Sequence, residues 1–134
     1  MTTAFPLPGD RAVLSAGPVT TADLVRYAGA SGDFNPIHYD HLHAVASGMD
    51  GVIAHGLYVM GVAARVFDGW LGARGEVAAY DARFTAPVKP GDRLEVAATV
   101  QSVADGQARV TVEGRVGDRK VLAAEATLRF AAAS

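Results

Sequence analysis

Cysteine is absent from all 134 residues, which excludes both a disulfide framework and thiolate chemistry. A reducing compartment is compatible with that absence. Charge is also scarce. Only 19% of residues are Asp, Glu, Lys or Arg, and the formal net charge is −2. Lys and Arg are scattered without a basic run, so a broad nucleic-acid-binding face is not expected. No segment approaches the ~20 apolar residues that a membrane-spanning helix needs. Met1 to Asp10 has neither a basic start nor an apolar run of signal-peptide length. These absences lead to the expectation of a soluble cytoplasmic protein with no membrane partner. What the chain does have is hydrophobic residues, at 50%, enough for a sizeable core. No repeat, low-complexity tract or linker divides it, so one domain over residues 1–134 is expected.

The pattern changes period midway. Arg11 to Ser15 reads as a short strand. Thr20 can cap a helix, with Asp23 at the capping-box position and Leu24, Tyr27 and Ala28 as its apolar face. A short polar helix or turn covers Asp40 to Ala46 and closes at Ser47-Gly48. The spacing then predicts a long helix from about Gly56 to Leu71, with Leu57, Met60, Ala64, Phe67 and Leu71 on one stripe. It is apolar nearly all round, which predicts a buried helix. Beyond it the period drops to two. Val77 to Ala86, Leu94 to Val100, Ala108 to Val116 and Leu122 to Phe130 read as antiparallel strands. Asp105-Gly106 and Gly117-Asp118 are two-residue turn signals. The fold class is therefore α+β, with a sheet curled around one buried helix.

The chemistry concentrates in Ser31-Gly32-Asp33-Phe34-Asn35-Pro36-Ile37-His38. Pro36 biases Asn35 toward extended backbone. That predicts a connecting turn for Asp33 and His38 and not one face of a helix. A carboxylate and an imidazole on such a turn can exchange protons with one bound water. Asp33 could equally cap the turn and His38 be a satisfied surface residue, and spacing alone leaves both readings open. Asn35 is expected to stitch the turn together. Gly56, opening the long helix, would let a carbonyl oxygen approach the unpaired N–H groups of the first turn. Ordinary close packing of a helix start is the alternative there. His55 is expected to pack against the turn. His38, His41 and His43 invite a metal reading, yet three histidines on alternate sides of a turn do not converge easily and no Cys helps. No metal is expected.

The run from Tyr27 to His38, followed by Ile53-Ala54-His55-Gly56-Leu57, resembles the hydratase-2 motif of the MaoC-like (R)-specific enoyl-CoA hydratases and dehydratases. Arg83-Phe84-Thr85-Ala86-Pro87-Val88 and Pro90-Gly91-Asp92 are similar to the same family's sheet segment. Asp-x-Asn-Pro-x-His with a downstream His-Gly is the specific part. The resemblance is nearest to the catalytic subunit of the actinobacterial (3R)-hydroxyacyl-acyl-carrier-protein dehydratase. It implies a hot-dog fold, dimers joined edge to edge, a catalytic dyad of Asp33 and His38, and an oxyanion donor at the Gly56 N–H. It gives Asn35 a supporting role. His55 and Tyr58 join as supporting or substrate-binding candidates, Tyr58 because it would lie nearer the acyl channel. Some members carry a serine where this chain has Gly61.

On that basis the expected activity is reversible dehydration of (3R)-3-hydroxyacyl thioesters. No cofactor is called for, because the thioester already activates the α-carbon. The substrate carrier is coenzyme A or acyl carrier protein, with Arg65, Arg74 and Arg83 as surface candidates for choosing between them. A homodimer and one half of a heterodimer fit equally well. A hot-dog thioesterase is the competing class, disfavoured because the long helix has no acid before Asp68. A non-catalytic subunit is disfavoured because Asp33 and His38 are both kept.

Overall fold

A computed structural model describes residues 5–132. The far ends of the chain, including the last of the Ala-rich terminus at 133–134, lie outside them. Strand β1 (Arg11–Ala16) precedes helix α1 (Thr21–Ser31), a 3₁₀ turn at Pro36–His38 and helix α2 (His41–Ala46). Helix α3 (Gly56–Ala64) continues through a 3₁₀ turn at Arg65–Phe67 into α4 (Asp68–Leu71). Strands β2 (Gly75–Phe84), β3 (Leu94–Ala104), β4 (Gln107–Val116) and β5 (Arg119–Phe130) follow.

The five strands form one antiparallel sheet in the order β1-β3-β4-β5-β2. Its inward face carries the alternating residues predicted for it. Leu94, Val96, Ala98 and Val100 are buried, as are Ala108, Val110 and Val112 and, on β5, Leu122, Ala124, Ala126 and Leu128. Each fully buried Leu or Phe contributes about 1.5–3 kcal/mol relative to exposure. They close on Val59, Ala63, Val66 and Phe67 of the helical segment, so the sheet packs around α3 as a hot-dog fold does. Both turn signals form. Asp105 and Gly106 have φ of 54° and 75°, as a mirror-image two-residue turn requires, and Gly117 has φ 58°.

Four details differ from the sequence expectation. The long helix is interrupted by the 3₁₀ turn at Arg65–Phe67. It is also buried on one side only. Leu57, expected inside, is 65% exposed, because a single sheet covers the face carrying Val59, Ala63 and Val66 and leaves the opposite face open. Strand β2 runs from Gly75 to Phe84, ending two residues before the expected Ala86, although the Thr85 N–H still donates to the Val121 carbonyl of β5 at 3.0 Å. Strands β3 to β5 are also longer than expected, at 10–12 residues.

Candidate active site

The capping box at the head of α1 is formed. Thr20 Oγ1 accepts the Asp23 N–H at 3.1 Å and Asp23 Oδ2 accepts the Thr20 N–H at 2.9 Å. The helix ends at Gly32, whose φ of 77° suits glycine. From there a relay of side-chain bonds to nearby backbone folds the polar segment. Ser31 Oγ donates to the Tyr27 carbonyl and accepts the Asp33 N–H. Asp33 Oδ1 accepts the Asn35 N–H at 3.2 Å, and Asn35 Oδ1 accepts the Ile37 N–H at 3.2 Å. Asn35 therefore stitches the turn. Pro36 does not keep the following residues from being helical. It opens the 3₁₀ turn Pro36–His38, because its fixed φ and missing N–H suit a first helical position.

Long-range bonds then seat this turn. The Ile53 N–H donates to the Ile37 carbonyl at 3.1 Å, and the Ala54 N–H to the Val88 carbonyl at 2.7 Å. His38 Nδ1 lies 2.8 Å from the Ile53 carbonyl oxygen. A carbonyl only accepts, so Nδ1 carries the proton, and in the neutral ring Nε2 is an acceptor. That Nε2 faces Asp33 Oδ2 across 3.7 Å. The separation is too long for a direct hydrogen bond and short enough for one water, with its two hydrogens, to bridge. His38 is buried, whereas the Asp33 side chain is 52% exposed.

His55 ties these parts together. It is 2% exposed, and its ring stacks on His38 with centroids 3.7 Å apart. Its Nε2 donates to the Asp33 carbonyl at 3.1 Å, which leaves the buried Nδ1 without a partner. Burial holds the imidazole below its ordinary range, partly offset by that hydrogen bond. Tyr27 meets His55 edge to face, and Tyr58 meets Tyr27 in the same way. Asp33, His38 and His55 also bring three potential metal-ligand atoms within 4.8 Å of one another. The two stacked rings direct their in-plane lone pairs in nearly parallel planes, however, and that does not suit one shared ion. The trio weighed from the sequence, His38, His41 and His43, does not form a cluster, and His41 sits beside Gly51.

His55 is the residue before α3, and the Val59 N–H is bonded to its carbonyl at 3.2 Å. The N–H groups of Gly56, Leu57 and Tyr58 precede that bond and have no partner within the helix. A Cβ on Gly56 would meet the Phe84 ring at 2.8–3.3 Å, so glycine is what this approach allows. A cavity of about 380 Å³ opens here. His38 and Gly56 line it, with Ile53, Val59, Phe84 and Val121 among its apolar walls. The molecule has a larger concavity, about 680 Å³, on the sheet. It mixes Arg11, Arg83 and Lys120 with Asp81, Glu113 and Glu125 and has no imidazole, so the chemistry belongs to the smaller cavity.

The sequence scan missed the Ile53 carbonyl, Phe84 and Val88. A main-chain acceptor leaves no mark in a sequence, and Phe84 and Val88 meet the site only through tertiary contact. Tyr58 does not line the dyad cavity; it faces a second one on the other side of Val59. Burial pushes its hydroxyl pKa upward. Gly61 lies on the exposed face of α3 with open space around it.

A family model described as "MaoC like domain" matches residues 7–121. The chain belongs to the MaoC-like dehydratase family. It is 34% identical over 114 residues to the 3-hydroxybutyryl-CoA dehydratase of Methylorubrum extorquens, covering 83% of this chain and 73% of that protein. Other curated relatives are much longer, and the chain spans between 5% and 28% of their length. The unliganded R-hydratase PhaJ1 of Pseudomonas aeruginosa superposes with a TM-score of 0.83 at 27% identity, over 92% of this chain and 81% of that one. A chain of the ChsH1-ChsH2 complex of Mycobacterium tuberculosis superposes with a TM-score of 0.85 at 25% identity, over 93% and 98%.

Proposed function

We propose that this MaoC-like domain is a (3R)-3-hydroxyacyl-thioester dehydratase that also runs in reverse as a trans-2-enoyl-thioester hydratase. The observation that carries the reading is the pairing of His38 Nε2 with Asp33 Oδ2 at 3.7 Å, beside an apolar cavity that Gly56 opens. In hydration, one water donates its two hydrogens toward these two acceptors. Its oxygen adds to C3 of the enoyl group while the dyad takes one of its protons. Electron density moves onto the thioester oxygen, which the Gly56 N–H receives at the positive end of α3. The dyad then delivers a proton to C2, leaving the 3-hydroxyacyl thioester. Dehydration is the same path reversed. Asp33 and His38 act jointly as acid and base. Asn35 and His55 hold the turn and the two rings in place.

The substrate is a thioester of coenzyme A or acyl carrier protein, and the setting we propose is the cytoplasm. No described helix is long and apolar enough to cross a membrane. We also propose that the chain works as a homodimer or beside a second hot-dog subunit. The relative named as the ChsH1-ChsH2 complex supports the second form. The unpaired edge of β2 and exposed Leu57 and Phe84 offer surface for either.

The test is hydration of crotonyl-CoA, followed by loss of the enoyl-thioester absorbance and chiral analysis of the product. The expected product is (3R)-3-hydroxybutyryl-CoA. A (3S) product would overturn the assignment, and release of free coenzyme A thiol would favour the thioesterase class.

A further inference from the structure

Val59 and Val88 stand between two cavities. One is the dyad cavity. The other, of about 260 Å³, is lined by Val19, Tyr58, Val62, Arg65 and Leu94 among others. Both valines line both spaces, and they are only 4% and 3% exposed. The wall between the cavities is therefore two packed side chains. Each is fixed by an element that also builds the site. Val59 lies three residues into α3 from Gly56, and the Val88 carbonyl accepts the Ala54 N–H.

A thioester with its oxygen at Gly56 and its C3 at His38 fills the polar end of the dyad cavity. Carbons beyond C3 meet apolar lining, and Val59 and Val88 are the part of that lining with open space behind it. We propose that Val59 and Val88 are the stop that limits acyl chain length, and that the second cavity takes the distal methylenes of a straight acyl chain once the stop is trimmed. This rests on the dehydratase reading. Val19, Val62 and Leu94 give the second cavity apolar walls. Asp23, Tyr58 and Arg65 supply its polar lining. Asp23 is engaged by Thr20 and Arg26, and Arg65 is exposed, so that side of the cavity is polar and open to solvent.

The experiment compares kcat/KM for crotonyl-, hexenoyl- and octenoyl-CoA in the wild type and in folded Val59→Ala, Val88→Ala and Val59→Ala/Val62→Phe variants. Thermal melting establishes that each variant is folded. The wild type should favour crotonyl- over octenoyl-CoA by at least about tenfold, the discrimination a few methylenes give in an apolar pocket. Val59→Ala should narrow that ratio by about tenfold, and Val88→Ala should move it the same way. Val62 lines only the second cavity, so adding Phe there should restore the wild-type ratio. Unchanged ratios in both single variants, or a gain that survives Val62→Phe, would overturn the proposal. Failure to hydrate any of the three, offered as CoA and as acyl-carrier-protein thioesters to the chain purified with any partner subunit, would overturn the dehydratase reading and this inference with it.

Discussion

Between Ser31 and Ile37 the side chains of Ser31, Asp33 and Asn35 bond to backbone two to four residues away; between Leu94 and Phe130 the backbone bonds to another strand. The first region is irregular, and Asp33 and Asn35 are exposed within it. The second is regular and buries an apolar residue at almost every other position of its inner face. Reactive groups need unusual directions, which the local relay supplies. A relay of exposed bonds is soft by itself, since each is worth only about 0.5–1.5 kcal/mol net. Its rigidity is borrowed through four tethers: Ile53 to Ile37, His38 to Ile53, His55 to Asp33, and Ala54 to Val88. Stability and chemistry are thus separable in this molecule, and substitutions can pull them apart.

The largest stability effect belongs to the sheet. Leu128→Ala removes a fully buried side chain far along β5 from the dyad and should lower unfolding free energy by about 2–5 kcal/mol. Denaturant melts check this, and activity per folded molecule should stay near wild type. If turnover falls in step with stability, the two regions are not separable.

Gly56→Ala sits at the junction. Its Cβ must displace the Phe84 ring, which lines the cavity. We expect kcat/KM to fall about ten- to a hundredfold, or ~1.4–2.7 kcal/mol of activation free energy. Adding Phe84→Ala makes room and should restore part of the loss. A drop in melting temperature with unchanged kinetics would reduce Gly56 to a packing residue.

Thr20→Ala breaks the capping box and should cost about 1 kcal/mol of stability with no change in kcat. The smallest effect is a slope with pH. His55 titrates below 6.5 in the folded chain because it is buried. Between its folded value and 6.5 the unfolded chain binds a proton that the native chain refuses. Stability should therefore rise with pH across that window and decline as pH drops through it. Melts of wild type and His55→Phe over about pH 5 to 7 compare the slopes, and the variant should be flatter in that range.

Much of this was legible in the sequence, for local reasons. The capping box, the Asp105-Gly106 turn and the alternation of β3 to β5 are decided by residues a few positions apart. The motif residues Asp33, His38 and Gly56 were also identified from their neighbours. The orientation of α3 was not, because only the finished sheet determines which apolar face it covers; Leu57 and Val59 look alike as letters. The 3₁₀ start at Pro36 was missed by weighing proline as a breaker and not as a first helical residue. His55 was expected to pack against the turn, and it does so by stacking on His38. Its bond to the Asp33 carbonyl depends on a contact across 22 positions that no spacing rule reveals.

The most direct test of the central claim is turnover of crotonyl-CoA by Asp33→Asn and His38→Ala, measured beside their melting curves. Asp33 is half exposed, so Asp33→Asn should melt close to wild type; His38→Ala loses the bond to the Ile53 carbonyl and the stacking on His55 and should melt lower, so turnover is compared per folded molecule. Hydration should fall by at least about 10²–10⁴-fold in each, the usual contribution of a positioned acid or base. Near-wild-type hydration in either folded variant would contradict the dyad.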